Sequence, residues 1–326
     1  MEKINSDLIF NIKTKSEFED LAFKFFHYQI KENDIYSKYA TLILKGQKPK
    51  KINEIPFLPI SFFKSQKIIS KERQAEIIFK SSGTKGLRSS HYIADLNLYE
   101  SSFKKNFIKT YGNIESVCII GLLPSYEENG DSSLIYMVDS LIKMSKNKNS
   151  GFYNNDLKKL KNILEENESN KTKTIVLGVT YGLLDFAKKY PISLQNTTII
   201  ETGGMKGKRK ELIKKEVHQI LCSAFNLKNI HSEYGMTELL SQAYSPMEGV
   251  FQTPPWMKIL IRDIYDPLSV TENKSSGAIN IIDLANVFSC PFIATDDAGI
   301  LISENKFKLN GRITNSDIRG CNLLVE

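Results

Sequence analysis

Apolar residues recur along this chain in two rhythms, and the rhythms predict its elements. Near the start, Phe18, Leu21, Ala22, Phe25 and Phe26 fall at i, i+3, i+4, i+7 and i+8, the spacing of one buried helix face. Ser16 and Glu19 stand where a capping box would open that helix. Ile55-Pro56-Phe57-Leu58-Pro59-Ile60 reads as extended, because each proline excludes helix and restricts the residue before it. A second helix is expected from an Asp95 cap to Tyr111, with Leu96, Tyr99, Phe103 and Phe107 along it and Gly112 as its stop.

From there strands and helices alternate. Strands are expected at 117–123, 174–177 and 198–200, the last running into Gly203-Gly204. Helices are expected at 136–144, 183–189 and 211–225, the last with Leu212, Ile213, Val217, Ile220, Leu221 and Ala224 on one face. This alternation predicts the α/β class, with a parallel sheet covered by helices on both faces. The stretch 143–173 is rich in Lys, Asn and Glu and is expected to hold one exposed helix, 156–166, between flexible ends. The last third differs: short strands at 257–261, 278–282, 299–302 and 306–309 predict a small β-rich part packed on the α/β core. No internal repeat is visible. The expected organisation is a single domain over 1–326, with a helical N-terminal region (1–60) and a C-terminal tail (312–326).

Composition narrows the class. The chain has 326 residues, 41% of them hydrophobic, which excludes a disordered polymer and permits a large core. Its longest apolar run, 117–123, is far too short to span a bilayer, and the polar start Met1-Glu2-Lys3-Ile4-Asn5 is no signal peptide. A cytoplasmic location is expected. Four scattered cysteines and four scattered histidines show no zinc spacing, so a structural metal is not expected. The net charge of +7 is spread over the chain: a solvated surface is one reading, attraction to anions the other. Without a basic stripe interleaved with aromatics, nucleic acid is not expected as a partner.

Three clusters carry chemistry. Ser81-Ser82-Gly83-Thr84-Lys85-Gly86-Leu87 follows the apolar Ile77-Ile78-Phe79. Its glycines allow a sharp turn, and its N–H groups and hydroxyls suit a phosphate; read alone, it is equally a plain turn. His231-Ser232-Glu233-Tyr234-Gly235-Met236-Thr237-Glu238 supplies an aromatic for a purine, a hydroxyl for a phosphate and a carboxylate for Mg²⁺. Read alone, it is also a strand end with a helix cap. Thr295-Asp296-Asp297-Ala298-Gly299, followed by Gly311-Arg312, offers a carboxylate for a ribose diol or an ordinary hairpin turn.

The three in this order resemble the adenylate-forming superfamily of acyl- and aryl-CoA synthetases, luciferases and nonribosomal adenylation domains. A closer resemblance is to the acyl-protein synthetases of bacterial bioluminescence, the LuxE family. It is carried by Phe26-His27-Tyr28-Gln29, by Ile55 to Lys64, by Ser81-Ser82-Gly83-Thr84 with His91 downstream, and by Gly311-Arg312 leading to Arg319-Gly320-Cys321. It covers nearly the whole chain. The fold it implies is the large domain of adenylate-forming enzymes. ATP and Mg²⁺ are the cofactors it implies.

Residue by residue, the resemblance assigns Ser81, Ser82, Gly83, Thr84 and Gly86 to the ATP phosphates; Lys85 and Arg88 depart from its pattern and offer positive charge to the triphosphate. Gly203 and Gly204 match the turn along adenine and acyl pocket, and Tyr234-Gly235 the segment beside adenine. Thr237 matches a phosphate contact, Glu238 the Mg²⁺ ligand, Asp297 the ribose carboxylate and Arg312 the arginine near ribose and phosphate. His91 is a candidate contact for phosphate or carboxylate, or a structural histidine; His231 reads as structural. The chain departs from the superfamily at Lys85, Arg88-Ser89-Ser90 and Asp296. It also stops at Glu326, where most of the superfamily continues into a small mobile C-terminal domain with a catalytic lysine. That domain is therefore expected to be absent.

Cys321 is the candidate to receive the acyl group as a thioester, by resemblance to the acyl-protein synthetases. Arg319 beside it favours a thiolate. Its other reading is a core thiol next to Leu323-Leu324-Val325. Cys118 and Cys222 read as core. The expected activity is formation of acyl-AMP from a carboxylic, fatty-type acid, then transfer to a cysteine thiol. The partner implied is an acceptor protein, acyl-CoA-reductase-like or a carrier. Direct transfer to CoA, an amine or a carrier protein is the alternative within enzymes. A nucleotide-binding subunit without turnover is the alternative outside them.

Overall fold

A computed structural model of the chain describes residues 6–82, 87–124, 130–203, 212–270 and 275–313. In chain order, helices α1 (Ser6–Phe10), α2 (Lys15–Glu32) and α3 (Asp34–Leu44) lead to strand β1 (Leu58–Pro59) and helix α4 (Phe62–Ser65). Strands β2 (Ile77–Lys80) and β3 (Ser90–Ile93) precede α5 (Leu96–Tyr111). Next come β4 (Cys118–Leu122), α6 (Ser133–Met144), β5 (Gly151–Phe152), α7 (Leu157–Ser169), β6 (Thr174–Val179) and α8 (Thr180–Lys189). They are followed by β7 (Thr197–Thr202), α9 (Lys214–Phe225), β8 (His231–Tyr234), β9 (Ala243–Ser245) and β10 (Val250–Gln252). The chain then forms β11 (Met257–Arg262), β12 (Ser276–Asp283), β13 (Phe292–Ser303) and β14 (Lys306–Arg312). The residues group into two compact units. One holds Met1–Ser102, Met236–Ser241 and Gln252–Glu326, the other Phe103–Gly235 and Gln242–Phe251.

The second unit is the alternating part. Strands β5, β4, β6, β7 and β8 run parallel in that order, and β9 closes on β8 antiparallel. Every residue of β4 is buried, as a strand covered on both faces requires. Ile120, Val176 and Ile199 lie in one register and pack with Leu160 and Leu164 of α7, Phe186 of α8, and Leu221 and Phe225 of α9. The rings of Phe186 and Phe225 stack at 5.7 Å.

Two helices differ from expectation. Helix α7 is not an exposed helix. Asp156 caps it by accepting from Lys159 N at 2.9 Å, and it buries Leu160, Ile163, Leu164 and Asn167. Its dense charges sit on the opposite face and mask the period. Helix α9 buries only the narrow stripe Val217, Leu221 and Phe225, leaving Ile213 and Ile220 exposed.

The first unit joins the two ends of the chain. Thr14, not Ser16, caps α2: its hydroxyl accepts from Glu17 N at 3.2 Å while Glu17 accepts from Thr14 N at 2.9 Å. Thr14-Lys15-Ser16-Glu17 has the same capping pattern two residues earlier, and the helix gains length by using it. Strands β11 to β14 form an antiparallel meander, and the proline-bounded β1 lies parallel on β13, Leu58 against Ile293. Gln29 donates to Val287 O at 2.6 Å and Asn33 to Ser289 O at 2.8 Å. The rings of Tyr36 and Phe57 pack on Phe292 at 5.8 and 6.2 Å. The β-rich third therefore shares its core with the N-terminal helices.

Candidate active site

In the first unit, β2 and β3 form a hairpin whose register pairs Phe79 with His91 and Lys80 with Ser90. Beyond it, Ser81 N donates to Ser89 O and Ser89 N donates to the Ser81 hydroxyl, both at 3.0 Å. The Arg88 guanidinium donates to the Ser81 carbonyl. These bonds tie the two ends of the expected phosphate loop together. Gly83, Thr84, Lys85 and Gly86 lie outside the described residues. Arg88, expected as charge for the triphosphate, donates its Nε–H to the loop's own backbone.

The segment from Thr237 to Ser241 is held by side chains of the same unit. His91 Nδ1 lies 2.7 Å from Thr237 O, and Asn286 Nδ2 donates to Glu238 O at 2.8 Å. Leu240 N and Ser241 N donate to Asp283 Oδ2 at 2.8 and 2.9 Å, and the Ser241 hydroxyl to Asp283 Oδ1 at 2.6 Å. Trp256 Nε1 donates to the Ser241 and Ser102 hydroxyls, each at 3.0 Å. Three side chains, those of His91, Asn286 and Asp283, thus hold the backbone of the segment that carries Thr237 and Glu238. Burial raises the Glu238 carboxyl above the ordinary carboxylate range, and the Ser89 hydroxyl, Arg312 and Lys64 favour its charged form.

His91 corrects an expectation. It is fully buried, and its second nitrogen lies 2.9 Å from Asn286 Oδ1. Burial pushes its pKa down to about 4, so the ring is neutral near pH 7. Both nitrogens face oxygens of the protein, of which the neutral ring, with its one N–H, donates to one, and neither nitrogen is turned to a phosphate or a substrate carboxylate. His91 positions the Thr237 backbone instead.

Asp297 is not in a turn. It lies within β13, in register with Arg312 of β14, whose Nε is 3.5 Å from the Asp297 carboxylate. The hairpin-turn reading of Asp-Asp-x-Gly fails because β13 continues to Ser303.

In the second unit, β7 and β8 end side by side at the carboxyl edge of the parallel strands, where such sheets bind ligands. Gly203 has φ +72°, a left-handed turn that favours glycine. Gly204 lies outside the described residues. Tyr234 is buried, its ring edge-on to Phe251 at 5.9 Å. His231 packs against Tyr111, 5.7 Å between rings.

Two buried carboxyls at this edge have opposite environments. Burial alone would raise Glu201, but the His218 imidazole, the Lys214 ammonium 3.2 Å away and the Thr180 hydroxyl at 2.5 Å outweigh it and hold it below the usual range. Burial raises Glu233 to about 7, against the hydroxyl of Thr202 and the charge of Lys214.

Cys321 lies outside the described residues. Cys118 and Cys290 are fully buried thiols and Cys222 is half-buried. Among the described residues no helix is long and apolar enough to cross a membrane, and no three His, Cys, Asp or Glu side chains cluster as a metal site. A magnesium ion that arrives on phosphates needs only one or two protein carboxylates. Glu238, a buried carboxylate beside a hydroxyl-bearing neighbour, fits that requirement.

Sequence reasoning did not single out Asp283 and Asn286. Their signal was present: with Asn280 they are the three polar residues inside the apolar run from Ala278 to Phe288. In such a run a buried Asp or Asn needs partners, and here the partners are the motif's backbone.

A family model described as acyl-protein synthetase, LuxE, matches residues 125–326. A long-chain-fatty-acid–luciferin-component ligase of Vibrio harveyi is 24% identical over 324 residues, covering 91% of this chain and 84% of that protein. Among solved structures, an ATP-bound RpMatB–BxBclM chimera matches with a TM-score of 0.55 at 14% identity, over 72% of this chain and 47% of that one. The O-succinylbenzoate coenzyme A synthetase of Bacillus subtilis, in complex with ATP and magnesium, matches with a TM-score of 0.51 at 16% identity, over 72% and 49%. The chain spans about half the length of these solved proteins. The fold is that of adenylate-forming enzymes.

Proposed function

Since this chain belongs to the acyl-protein synthetase (LuxE) family, we propose that it activates a carboxylic acid of the fatty type with ATP and passes the acyl group to a cysteine thiol. In the first step a carboxylate oxygen attacks the α-phosphorus of ATP. The α–β phosphoanhydride bond breaks, and acyl-AMP and pyrophosphate form. In the second, a thiolate attacks the acyl carbon and AMP leaves with the bonding pair. Catalysis of this kind consists of positioning and charge neutralisation.

The observation that carries the reading is the anchoring of Thr237 and Glu238. Their carbonyls are spent on His91 and Asn286, so the side chains are what the segment offers a ligand. Glu238 would hold magnesium, which supplies charge neutralisation to the phosphates. Thr237 would bond a phosphate oxygen, as would Ser81, Ser82, Gly83, Thr84, Lys85 and Gly86. Asp297 accepts from the ribose hydroxyls while Arg312 balances its charge. Tyr234, Gly235, Gly203 and Gly204 line the adenine. Cys321 is the acyl acceptor, and a second protein receives the acyl group from it; likeness to the long-chain-fatty-acid–luciferin-component ligase of Vibrio harveyi supports this reading.

The test is intact mass of the full chain after incubation with Mg²⁺-ATP and a mixture of carboxylic acids, with pyrophosphate measured in parallel. A hydroxylamine-labile acyl adduct, lost in Cys321→Ser while pyrophosphate release persists, is the expected result. Pyrophosphate without an adduct moves the acceptor off this chain. Neither product overturns the reading.

A further inference from the structure

We propose that the end of α3 and the lysine-rich turn after it, residues 38–51, dock the protein on an anionic lipid surface, with Leu42 entering the edge of the bilayer and five lysines facing the headgroups. The docking goes beyond the acid-activating reading and does not depend on it.

Positive charge is concentrated in this stretch. It contains Lys38, Lys45, Lys48, Lys50 and Lys51 and no Asp or Glu, in a chain whose net charge is +7. All five lysines are exposed. The acids that flank the stretch are engaged. Asp34 pairs with Lys71 at 2.8 Å, and Glu54 accepts from Lys50 N at 2.6 Å and from Lys51 N at 3.3 Å. Even with the charge of Glu54 set against the five lysines, the patch is strongly basic.

Local structure sets an apolar side chain among these charges. One side of α3 is anchored: Tyr36 donates its hydroxyl to Pro56 O at 2.7 Å and Tyr39 to Phe57 O at 2.9 Å, while Tyr36 and Ala40 are the buried residues of the helix. Leu42 is 74% exposed, and Lys38 lies one turn before it on the same face. Ile43 and Leu44 beside it are half-buried. The helix then stops sharply. Lys45 takes a left-handed φ of 47° and donates its N–H to Thr41 O at 3.1 Å, and Gln47 N donates to Leu44 O at 2.8 Å. These bonds keep the start of the lysine-bearing turn against the helix end that carries Leu42.

The chemistry suits lipid better than protein. Protein interfaces are depleted in lysine and enriched in arginine and aromatic residues. Here every cation is a lysine, and the exposed apolar side chain is aliphatic. Ammonium groups on flexible stems act as point charges without fixed bonding geometry, which matches a fluid layer of phosphates. Lysine clusters on an amphipathic helix are the pattern by which proteins hold anionic lipid. A helix of 11 residues lies on such a surface and does not span it. Long aliphatic acids partition into bilayers, so a chain that activates them would meet them there.

The test sediments the full chain with vesicles of phosphatidylcholine alone and of equal parts phosphatidylcholine and phosphatidylglycerol, at low and at high salt. The natural protein should bind the anionic vesicles at low salt, leave them at high salt and ignore the neutral ones. Lys45→Gln, Lys48→Gln and Lys50→Gln combined should lower the partition coefficient by about a hundredfold, at about fivefold per lysine. Leu42→Gln alone should lower it by about tenfold. The substituted side chains are exposed, so both variants should keep the natural melting temperature, which separates lost docking from lost folding. Absence of binding to anionic vesicles at low salt overturns the proposal, and so does binding that survives the lysine variant. Binding lost with the lysines but kept in Leu42→Gln also overturns it, because charge alone then suffices and an acidic protein becomes the partner. Sedimentation needs neither ATP nor acid, so its result is independent of whether the chain activates one.

Discussion

Asn286 donates its amide to the carbonyl of Glu238 at 2.8 Å and to that of Cys290 at 3.0 Å, so one side chain fixes the backbone under the proposed magnesium ligand. Its oxygen faces His91, which in turn meets the carbonyl of Thr237. Replacing Asn286 by Ala leaves two buried carbonyls without donors. We expect a loss of about 2–3 kcal/mol in urea unfolding. Pyrophosphate release should fall more than the unfolded fraction explains. A normal rate in the folded variant would separate Asn286 from the site.

Glu238→Gln tests the ligand itself. Burial raises the Glu238 carboxyl, so a neutral amide of the same shape should leave the melting temperature level or higher. Pyrophosphate release should nonetheless drop by about a hundredfold, the order seen when one transition-state charge contact is removed. Excess magnesium should not restore it. A variant that loses stability and keeps its rate would assign Glu238 to structure.

Gly235→Ala adds a single methyl group where the Glu233 carboxyl lies. The carboxyl must leave Thr202 or the strand end must shift. We expect the protein to fold, with a melting temperature several degrees lower, in line with an overpacking cost of about 1–3 kcal/mol. The double change Gly235→Ala with Glu233→Ala removes the obstructing carboxyl and should recover part of that loss. Additive losses would show that the two residues do not touch.

Glu233 also gives stability a pH dependence of fixed sign. Its pKa is raised to about 7 in the folded protein from 4.5. Between those values the folded state holds a proton that the unfolded state has released. Its contribution is complete below about pH 4.5 and is lost as pH rises through 7. Glu233→Gln should therefore make the curve of stability against pH rise more, or fall less, over that window. The difference in slope integrates to about 3 kcal/mol at most. Identical slopes in the two proteins would show Glu233 to be ionised throughout.

Much of the second unit was legible in the sequence because its strands are continuous apolar runs and its helices keep a regular period. The strands predicted at 117–123, 174–177 and 198–200 lie within a residue or two of β4 and along β6 and β7. Charge hid the buried face of α7, and a broad apolar face on α9 overstated how much of it the sheet covers. The order of the motifs located Thr237, Glu238 and Asp297 as candidates, but single residues were harder to interpret. No local pattern says that β13 runs straight through Asp297, since that follows from pairing with β12 and β14. Nor does spacing reveal that His91 is used up by Thr237 and Asn286, partners 146 and 195 residues away.

The pairing of β1 with β13 sets the timing of folding during synthesis. Leu58 lies against Ile293, and Gln29 and Asn33 bond carbonyls at 287 and 289. The helices and the short strand made first thus find these partners only when residues 287–293 leave the ribosome. Contacts this distant in sequence close slowly and late. In between, the apolar faces of α2 and α3 and the proline-bounded strand stand uncovered, a target for chaperones and a hazard for aggregation. The parallel strands β4, β6, β7 and β8 of the second unit follow one another at shorter intervals in the sequence and meet less of this delay. On the ribosome, the half of the molecule that begins the chain is completed last.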